Sequence, residues 1–250
     1  MPELRAIPVP GIPEIKPGDR IAPLILNALN KSGIAPEAGD ILVVTHKIVS
    51  KAEGALVPLD TIRPSPWARG WAKRFHLDAR VAELALSQAR RVVRRKNGVM
   101  ITETGHGLVC ANSGVDVSNV DGGRTAVLLP RDSDASARSL HRALRAELGF
   151  AVPVIISDTF GRPWREGLTE VAIGVAGMKP FRDFRARRDA HGYHLRVTLE
   201  AVADELAGMA GLACGKLSRI PVCLIRGFVY RAGKGSAREL IRDKKRDLFR

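Results

Sequence analysis

Two stretches concentrate side chains able to hold a metal ion or a phosphate. In ETGHGLVCANSGVDVSNVDGG, His106, Asn112, Asp116, Ser118 and Asn119 are spread among turn-forming glycines. In ISDTFGRPWREGLTE, Asp158, Thr159, Arg162 and Arg165 follow the apolar run VPVIIS. Two carboxylates with hydroxyl and amide neighbours suit a hard divalent cation, Mg²⁺ or Mn²⁺, which takes oxygen ligands. Nearby Arg and Lys suit phosphate oxygens. Each residue also has a plainer reading: Asp and Asn in glycine-rich loops close turns, and His106 makes a structural hydrogen bond. Lys47 and Lys51 in THKIVSKAEG are then solvated charges, and His141 has no evident partner. A Walker-type phosphate loop is absent. Gly211 to Gly215-Lys216 is one residue too short for GxxxxGK, and Gly227 to Gly233-Lys234 is one too long. GxGxxG, HExxH and GxSxG are missing as well.

The elements that must position these residues are read from periodicity and punctuation. Pro17-Gly18-Asp19 turns into a helix over about Arg20–Ser32 with Asp19 as its cap, and ILVVT reads as a buried strand ending at Thr45. Ser65-Pro66 opens a short helix. Asp78 caps a longer one to about Arg95, with Val81, Leu84, Ala85, Ala89, Val92 and Val93 inward and Arg90, Arg91, Arg94 and Arg95 mostly outward. Short strands are expected near Val99–Glu103, Leu108–Ala111 and Thr125–Leu129, then a helix from Ser133-Asp134 to about Leu148. VPVIIS is expected to stop at Asp158. After VAIGVAGM and the basic stretch Phe181–Arg188, Thr198 is expected to cap a helix over Leu199–Ala213. The core strand PVCLIRG comes next, and a capping box at Ser236–Glu239 opens a polar helix. The irregular alternation of strands and helices argues an α+β fold with mixed or antiparallel sheets and packed helices, and no Rossmann or P-loop domain.

Composition narrows the class. The 250 residues are 45% hydrophobic and 26% charged, an ordinary globular balance. Forty Lys and Arg against 26 Asp and Glu leave a formal charge of +14. That balance favours anionic partners, and an arginine-rich codon bias is the plain alternative explanation of it. Aromatics are only 5% and are not interleaved with the basic residues, which counts against base stacking and a nucleic-acid partner. No apolar run approaches a membrane span, and the N-terminal residues lack the pattern of a signal peptide. Cys110, Cys214 and Cys223 form no CxxC pair, so reduced thiols in a cytoplasmic protein are expected.

At GIPEIKPGD, ILVVTHKIVSKAEG, ETGHGLVCANSGVDVSNV, VIISDTFGRPWREG, VAIGVAGM and VADELAGMAGLACGK…IPVCLIRG, the chain resembles the coenzyme F-420-0 gamma-glutamyl ligase family, in order from about Gly11 to Gly227. The resemblance implies an α+β ligase domain over 1–250, with two intertwined subdomains as a variant whose boundary is unmarked. It implies the form without the nitroreductase-like extension of some bacterial members. It further implies a homodimer that uses GTP and Mg²⁺ or Mn²⁺, with K⁺ as a further candidate ion, to join L-glutamate to the lactyl carboxylate of coenzyme F-420-0. Further γ-linked glutamates follow. By the same resemblance Ile12, Pro13, Glu14, Ile15, His46, Lys47, Lys51, Asn119 and the segment Cys214, Gly215, Lys216 to Ile220 meet the nucleotide. Asp116 and Asp158 bind metal, and Thr159 binds a second ion. One departure stands out: some members carry an acidic or amide residue where this chain has Lys216, and an ammonium has no lone pair to donate.

The chemistry expected of such a ligase is activation of a carboxylate as an acyl phosphate, followed by displacement of phosphate by an amine. Asp116, Asp158 and Arg162 are the residues assigned to catalysis. Two readings from other classes stay open: a basic nucleic-acid-binding module using the Arg90–Lys96 face, and a GTP- and metal-binding sensor without catalysis.

Overall fold

A computed structural model describes residues 3–118 and 121–247. In chain order its elements are β1 (Arg5–Pro8), α1 (Ile21–Lys31), β2 (Ile41–Thr45), α2 (His46–Ala52), β3 (Leu56–Pro58), α3 (Pro66–Phe75), α4 (Ala79–Ser87), β4 (Ala89–Lys96), β5 (Val99–Thr104), β6 (Val109–Ala111), β7 (Thr125–Val127), α5 (Ser133–Leu148), β8 (Val154–Arg162), β9 (Arg165–Ala176), β10 (Arg182–Asp183), β11 (Leu199–Glu200), α6 (Val202–Cys214) and β12 (Val222–Arg226). This is an α+β fold with mixed and antiparallel sheets.

The central sheet has the order β1-β12-β2-β8-β9, with β2 and β8 parallel and the other pairs antiparallel. Its strands are near-continuous apolar runs because both faces are covered. Leu42, Val44, Ile156, Val222 and Leu224 face a core completed by α1, α2 and α5, including Ile25, Leu29, Ile48, Val49, Leu140 and Leu144. Ile41, Val43, Ile155, Cys223 and Ile225 face a second core completed by α6 through Val202, Ala203, Leu206 and Ala207. The alternation of side chains along each strand thus assigns every second residue to one core. The segment between α2 and α5 carries the small sheets β3-β7 and β4-β5-β6, with minor cores around Ala68, Ala85 and Met100 and around Leu59, Leu84 and Ala126.

Five expectations are corrected. The helix from Asp78 ends at Ser87, and Arg90–Lys96 belongs to strand β4, hairpinned to β5. Asn97 and Gly98 both have positive φ, +49° and +79°, the requirement of a two-residue hairpin turn, and Val92 and Val93 prefer the strand. Asp19 does not cap α1: its Oδ2 accepts from the Lys16 amide at 2.7 Å, closing the preceding turn. Strand β8 runs through Asp158 to Arg162, because the β8–β9 hairpin supplies backbone partners beyond the core. Helix α6 starts at Val202, since Leu199–Glu200 pairs with Arg182–Asp183 and the Thr198 carbonyl accepts from Phe184 N at 3.1 Å. The capping box at Ser236–Glu239 is present but opens only a single 3-10 turn, Ala237–Leu240.

Candidate active site

The parallel pairing of β2 with β8 aligns Thr45 with Ser157, so the next residues of both strands emerge together. From β2 the chain passes without a loop into α2: Thr45 is extended and His46 is already helical. That short helix presents three site candidates in one turn and a half. His46 is buried, with Nε2 at 3.1 Å from Asp158 Oδ1 and Nδ1 at 3.3 Å from Ser50 Oγ, four residues along the same helix. The network is satisfied by an imidazole that donates from Nε2 and accepts the Ser50 hydroxyl at Nδ1. Asp158 Oδ1 also accepts the Thr159 amide at 2.7 Å, so both contacts fall on one oxygen and Oδ2 is the one left to a ligand.

Lys47 and Lys51, four residues apart, share the next face. The Lys47 ammonium lies 2.6 Å from Asp116 Oδ2 and donates to Ser118 Oγ at 2.9 Å. Asp116 is held at the backbone by reciprocal bonds to Val127, and its Oδ1 accepts the Ser118 amide at 2.7 Å. Burial pushes the Asp116 carboxyl up, but the Lys47 hydrogen bond and those from Ser118 outweigh it and hold it below its ordinary range. Lys51 has a side chain only 10% exposed and reaches Glu14 Oε1 at 2.5 Å. The plain reading of Lys47 and Lys51 as solvated charges does not hold.

The loop that carries Glu14 is pinned on both sides. Ile15 is buried in the main core, Ile12 packs against it, and the Gly18 amide donates to the Ala52 carbonyl at 2.8 Å. Of the sequence-expected run Ile12–Ile15, Pro13 and Glu14 are exposed, and Glu14, with its side chain 75% exposed, is the one that brings a charge. The segment after α6 closes the site from the other side. Gly215 caps the helix at φ +68°, and the Ser218 hydroxyl donates to the Cys214 carbonyl and, at 3.2 Å, to that of Gly215. The Thr45 amide donates to the Pro221 carbonyl at 2.9 Å, fastening this segment, with Ile220 half-buried beside it, to the start of α2.

Thr159 faces Glu170 across the β8–β9 hairpin and donates to its Oε1 at 2.5 Å, while Lys216 Nζ approaches the same hydroxyl at 3.3 Å. Sequence reasoning missed Glu170 and Ser50. A simple fold of ISDTFGRPWREGLTE about Pro163-Trp164 would set Leu168 opposite Thr159, and only the register shift between Gly161 and Arg162 brings Glu170 there. A register shift between Ile156 and Ser157, one residue before Asp158, re-aims this part of the strand, as bulges beside functional sites do. Arg162 is not brought to the cluster: it lies at the hairpin tip, where Nη2 donates to the Glu166 carbonyl. Asn119 lies outside the described residues.

Other expectations resolve plainly. His106 is a structural histidine, donating from Nε2 to the Pro130 carbonyl at 2.9 Å. His141 does have a partner, the Val152 carbonyl at 2.7 Å. The three cysteines are free thiols, and burial, with the Asp158 charge second, pushes Cys110 up to about 12, leaving it inert. Among the described residues no three His, Cys, Asp or Glu side chains converge. The carboxylate oxygens of Asp116 and Asp158, with no thiolate beside them, still fit Mg²⁺ or Mn²⁺. Such ions are commonly held by one or two carboxylates, with substrate phosphates and water completing the shell.

The family model described as F420-0:Gamma-glutamyl ligase matches residues 11–227. The chain belongs to that family. Within it, the chain is 44% identical over 247 residues to the coenzyme F420:L-glutamate ligase of Methanothermobacter thermautotrophicus, covering 98% of each protein. It is 44% identical over 255 residues to that of Methanopyrus kandleri, covering 100% of this chain and 99% of the relative. The like-named protein of Archaeoglobus fulgidus is 38% identical over 248 residues, with 99% and 96% covered. The match of this F420-0:Gamma-glutamyl ligase family member spans every residue of the cluster, from Glu14 through Lys216.

Proposed function

We propose that this family member joins L-glutamate to the lactyl carboxylate of coenzyme F-420-0, using GTP, and extends the product with further γ-linked glutamates. The observation that carries the reading is the arrival of His46–Asp158 and Lys47–Asp116 at one end of the parallel β2–β8 pair, in a chain whose relatives bear the ligase name.

The chemistry follows from what a carboxylate lacks. Direct attack by an amine would have to expel oxide, so the carboxylate oxygen first takes the γ-phosphoryl group of GTP and GDP leaves. The glutamate nitrogen then attacks the acyl carbon, phosphate departs, and the nitrogen gives up its proton. Positioning and charge stabilisation supply most of the acceleration in such phosphoryl transfer. Asp116 and Asp158 would hold a divalent ion, which supplies neutralisation of phosphate charge when bound. His46 holds the Asp158 carboxylate through Oδ1, so that Oδ2 is the oxygen offered to the ion. Lys47 and Lys51, pre-paired with Asp116 and Glu14, offer their ammonium groups to phosphate oxygens at no cost in side-chain ordering. The exposed backbone beside Glu14 and the segment Cys214–Ile220 flank the nucleotide. Arg162, at its hairpin tip, is left to contact the substrate only if a second copy brings it near, and a homodimer is part of this proposal.

Mass spectrometry of the purified protein with the deazaflavin substrate, L-glutamate, Mn²⁺ and GTP tests the reading. A ladder of glutamyl additions is the expected result. GTP bound without product, from folded and metal-loaded protein, would favour the silent sensor.

A further inference from the structure

At Thr159 the family resemblance and the side chains of this chain disagree. The resemblance implies a second divalent ion on the Thr159 hydroxyl, completed by an acidic or amide residue at the position of Lys216. In the structure that hydroxyl is already committed on two sides. Its proton goes to Glu170 Oε1 at 2.5 Å, and the Lys216 ammonium donates toward its oxygen at 3.3 Å. An ammonium has three donors and no acceptor, so Lys216 cannot complete a metal shell. A dication placed at about 2.1 Å from the Thr159 oxygen would also sit within a few ångströms of that positive charge and be repelled by it.

The position is not simply vacated, because a cation fills it. Gly215, at φ +68°, turns the chain out of α6 so that the next residue, Lys216, points back toward the β8–β9 hairpin. Glu170 is fixed beside it: a Cβ on Gly211 would lie 2.4 Å from Glu170 Cγ, so α6 packs directly on that side chain. Carboxylate, hydroxyl and ammonium thus form one connected group adjoining Asp158, whose Oδ1 accepts the Thr159 amide.

We propose that the Lys216 ammonium is a built-in monovalent cation that replaces a second divalent ion, so that this chain binds one divalent ion per nucleotide. Glu170 acts as the positioning residue that keeps the ammonium at Thr159. The inference rests on the nucleotide reading given above, and its test separates the two.

The test counts bound Mn²⁺ by electron paramagnetic resonance while the protein is saturated with guanosine 5′-(β,γ-imido)triphosphate, whose own binding is measured by equilibrium dialysis. The native chain is expected to bind one Mn²⁺ per nucleotide, with a signal free of Mn–Mn coupling. Lys216→Glu, which puts oxygen donors where the ammonium was, is expected to bind two, with coupling-broadened lines; Lys216→Gln provides the same test with a neutral donor. Lys216→Ala is expected to keep one. Two Mn²⁺ on the native chain would overturn the proposal, as would a single one on both the Glu and Gln variants. Absence of bound nucleotide from every protein would overturn the nucleotide reading and this inference with it.

Discussion

Asp158 and Asp116 differ in what their removal should do, because their partners differ. Asp158 sits against a buried histidine, and the contacts to His46 and to the Thr159 amide both fall on its Oδ1. Asp158→Asn keeps the shape and removes the charge, and a loss of turnover of at least about 100-fold is expected with the melting temperature nearly unchanged. Asp116→Asn should lose turnover similarly and also release Lys47, so the KM for GTP should rise with it. Steady-state kinetics beside thermal melts separates these outcomes, and native-like turnover in either variant would remove that carboxylate from the mechanism. Legibility at this scale was uneven. Asp158 is readable because an acidic side chain directly after a strong apolar run has few structural reasons to be there, whereas Asp116 in its glycine-rich loop and Lys47 are pointed to by the family resemblance alone. Glu170 was hidden, because it gains meaning only from strand register, and Ser50 because it serves by bonding another side chain. Composition gave no sign that Ile12 and Ile15 would be spent on the core.

At the scale of elements, the bulged end of β9 is what sets the β8 segment before Asp158, and two carboxylates hold it, Asp134 buried and Asp204 half-buried. β9 is an edge strand, and its Ala172 and Val175 amides donate to Asp204 Oδ1 at 2.9 Å and Asp134 Oδ1 at 2.8 Å, one from each covering helix. Asp134 also accepts from the Ala237 amide at 2.8 Å and from the Ser236 hydroxyl, tying the C-terminal segment to the same point. Asp134→Ala leaves three donors without their acceptor, and a loss of about 2–4 kcal/mol is expected by urea denaturation. Gly174 has no room for a side chain, since a Cβ would lie 2.3 Å from the Ser133 carbonyl oxygen. Gly174→Ala should cost about 1–3 kcal/mol and displace the start of α5. On β5, Arg91 first and Lys244 second hold the Glu103 carboxyl at about 2, against an ordinary value of 4.5. A carboxyl depressed on folding contributes stability above pH 4.5, and that contribution is lost as pH falls toward 2. Glu103→Gln should therefore flatten the melting temperature over that window, and an unchanged acid limb would rule the pair out as its source. The core strands β2, β8 and β12 were legible from their apolar runs, and β5, β6 and β7 as short strands, whereas β1, β3, β9, β10 and β11 carry no such signal. The misread helix over Arg90–Lys96 shows the limit: helical spacing of Val and Arg was credited, while the Asn97-Gly98 turn that decides the matter was passed over.

For the whole molecule, the α+β class followed from irregular alternation of elements, whereas the sheet order β1-β12-β2-β8-β9 did not. Pairing the two ends of the chain, β1 with β12, is a long-range choice that no local pattern encodes. The net charge of +14 belongs to this scale too. GTP, the phosphodiester and glutamate are all anionic, so kcat/KM should fall several-fold as ionic strength rises from about 0.05 to about 0.3 M, with kcat nearly constant. Salt-independent kcat/KM would assign the arginines to surface composition alone. The central claim is a nucleotide-driven ligation, and the most direct measurement is the mass of the deazaflavin product after incubation with L-glutamate, Mn²⁺ and either GTP or ATP. The account predicts a ladder of glutamyl additions with GTP and none with ATP. No mass increase with either nucleotide, from folded protein that retains bound Mn²⁺, would contradict it.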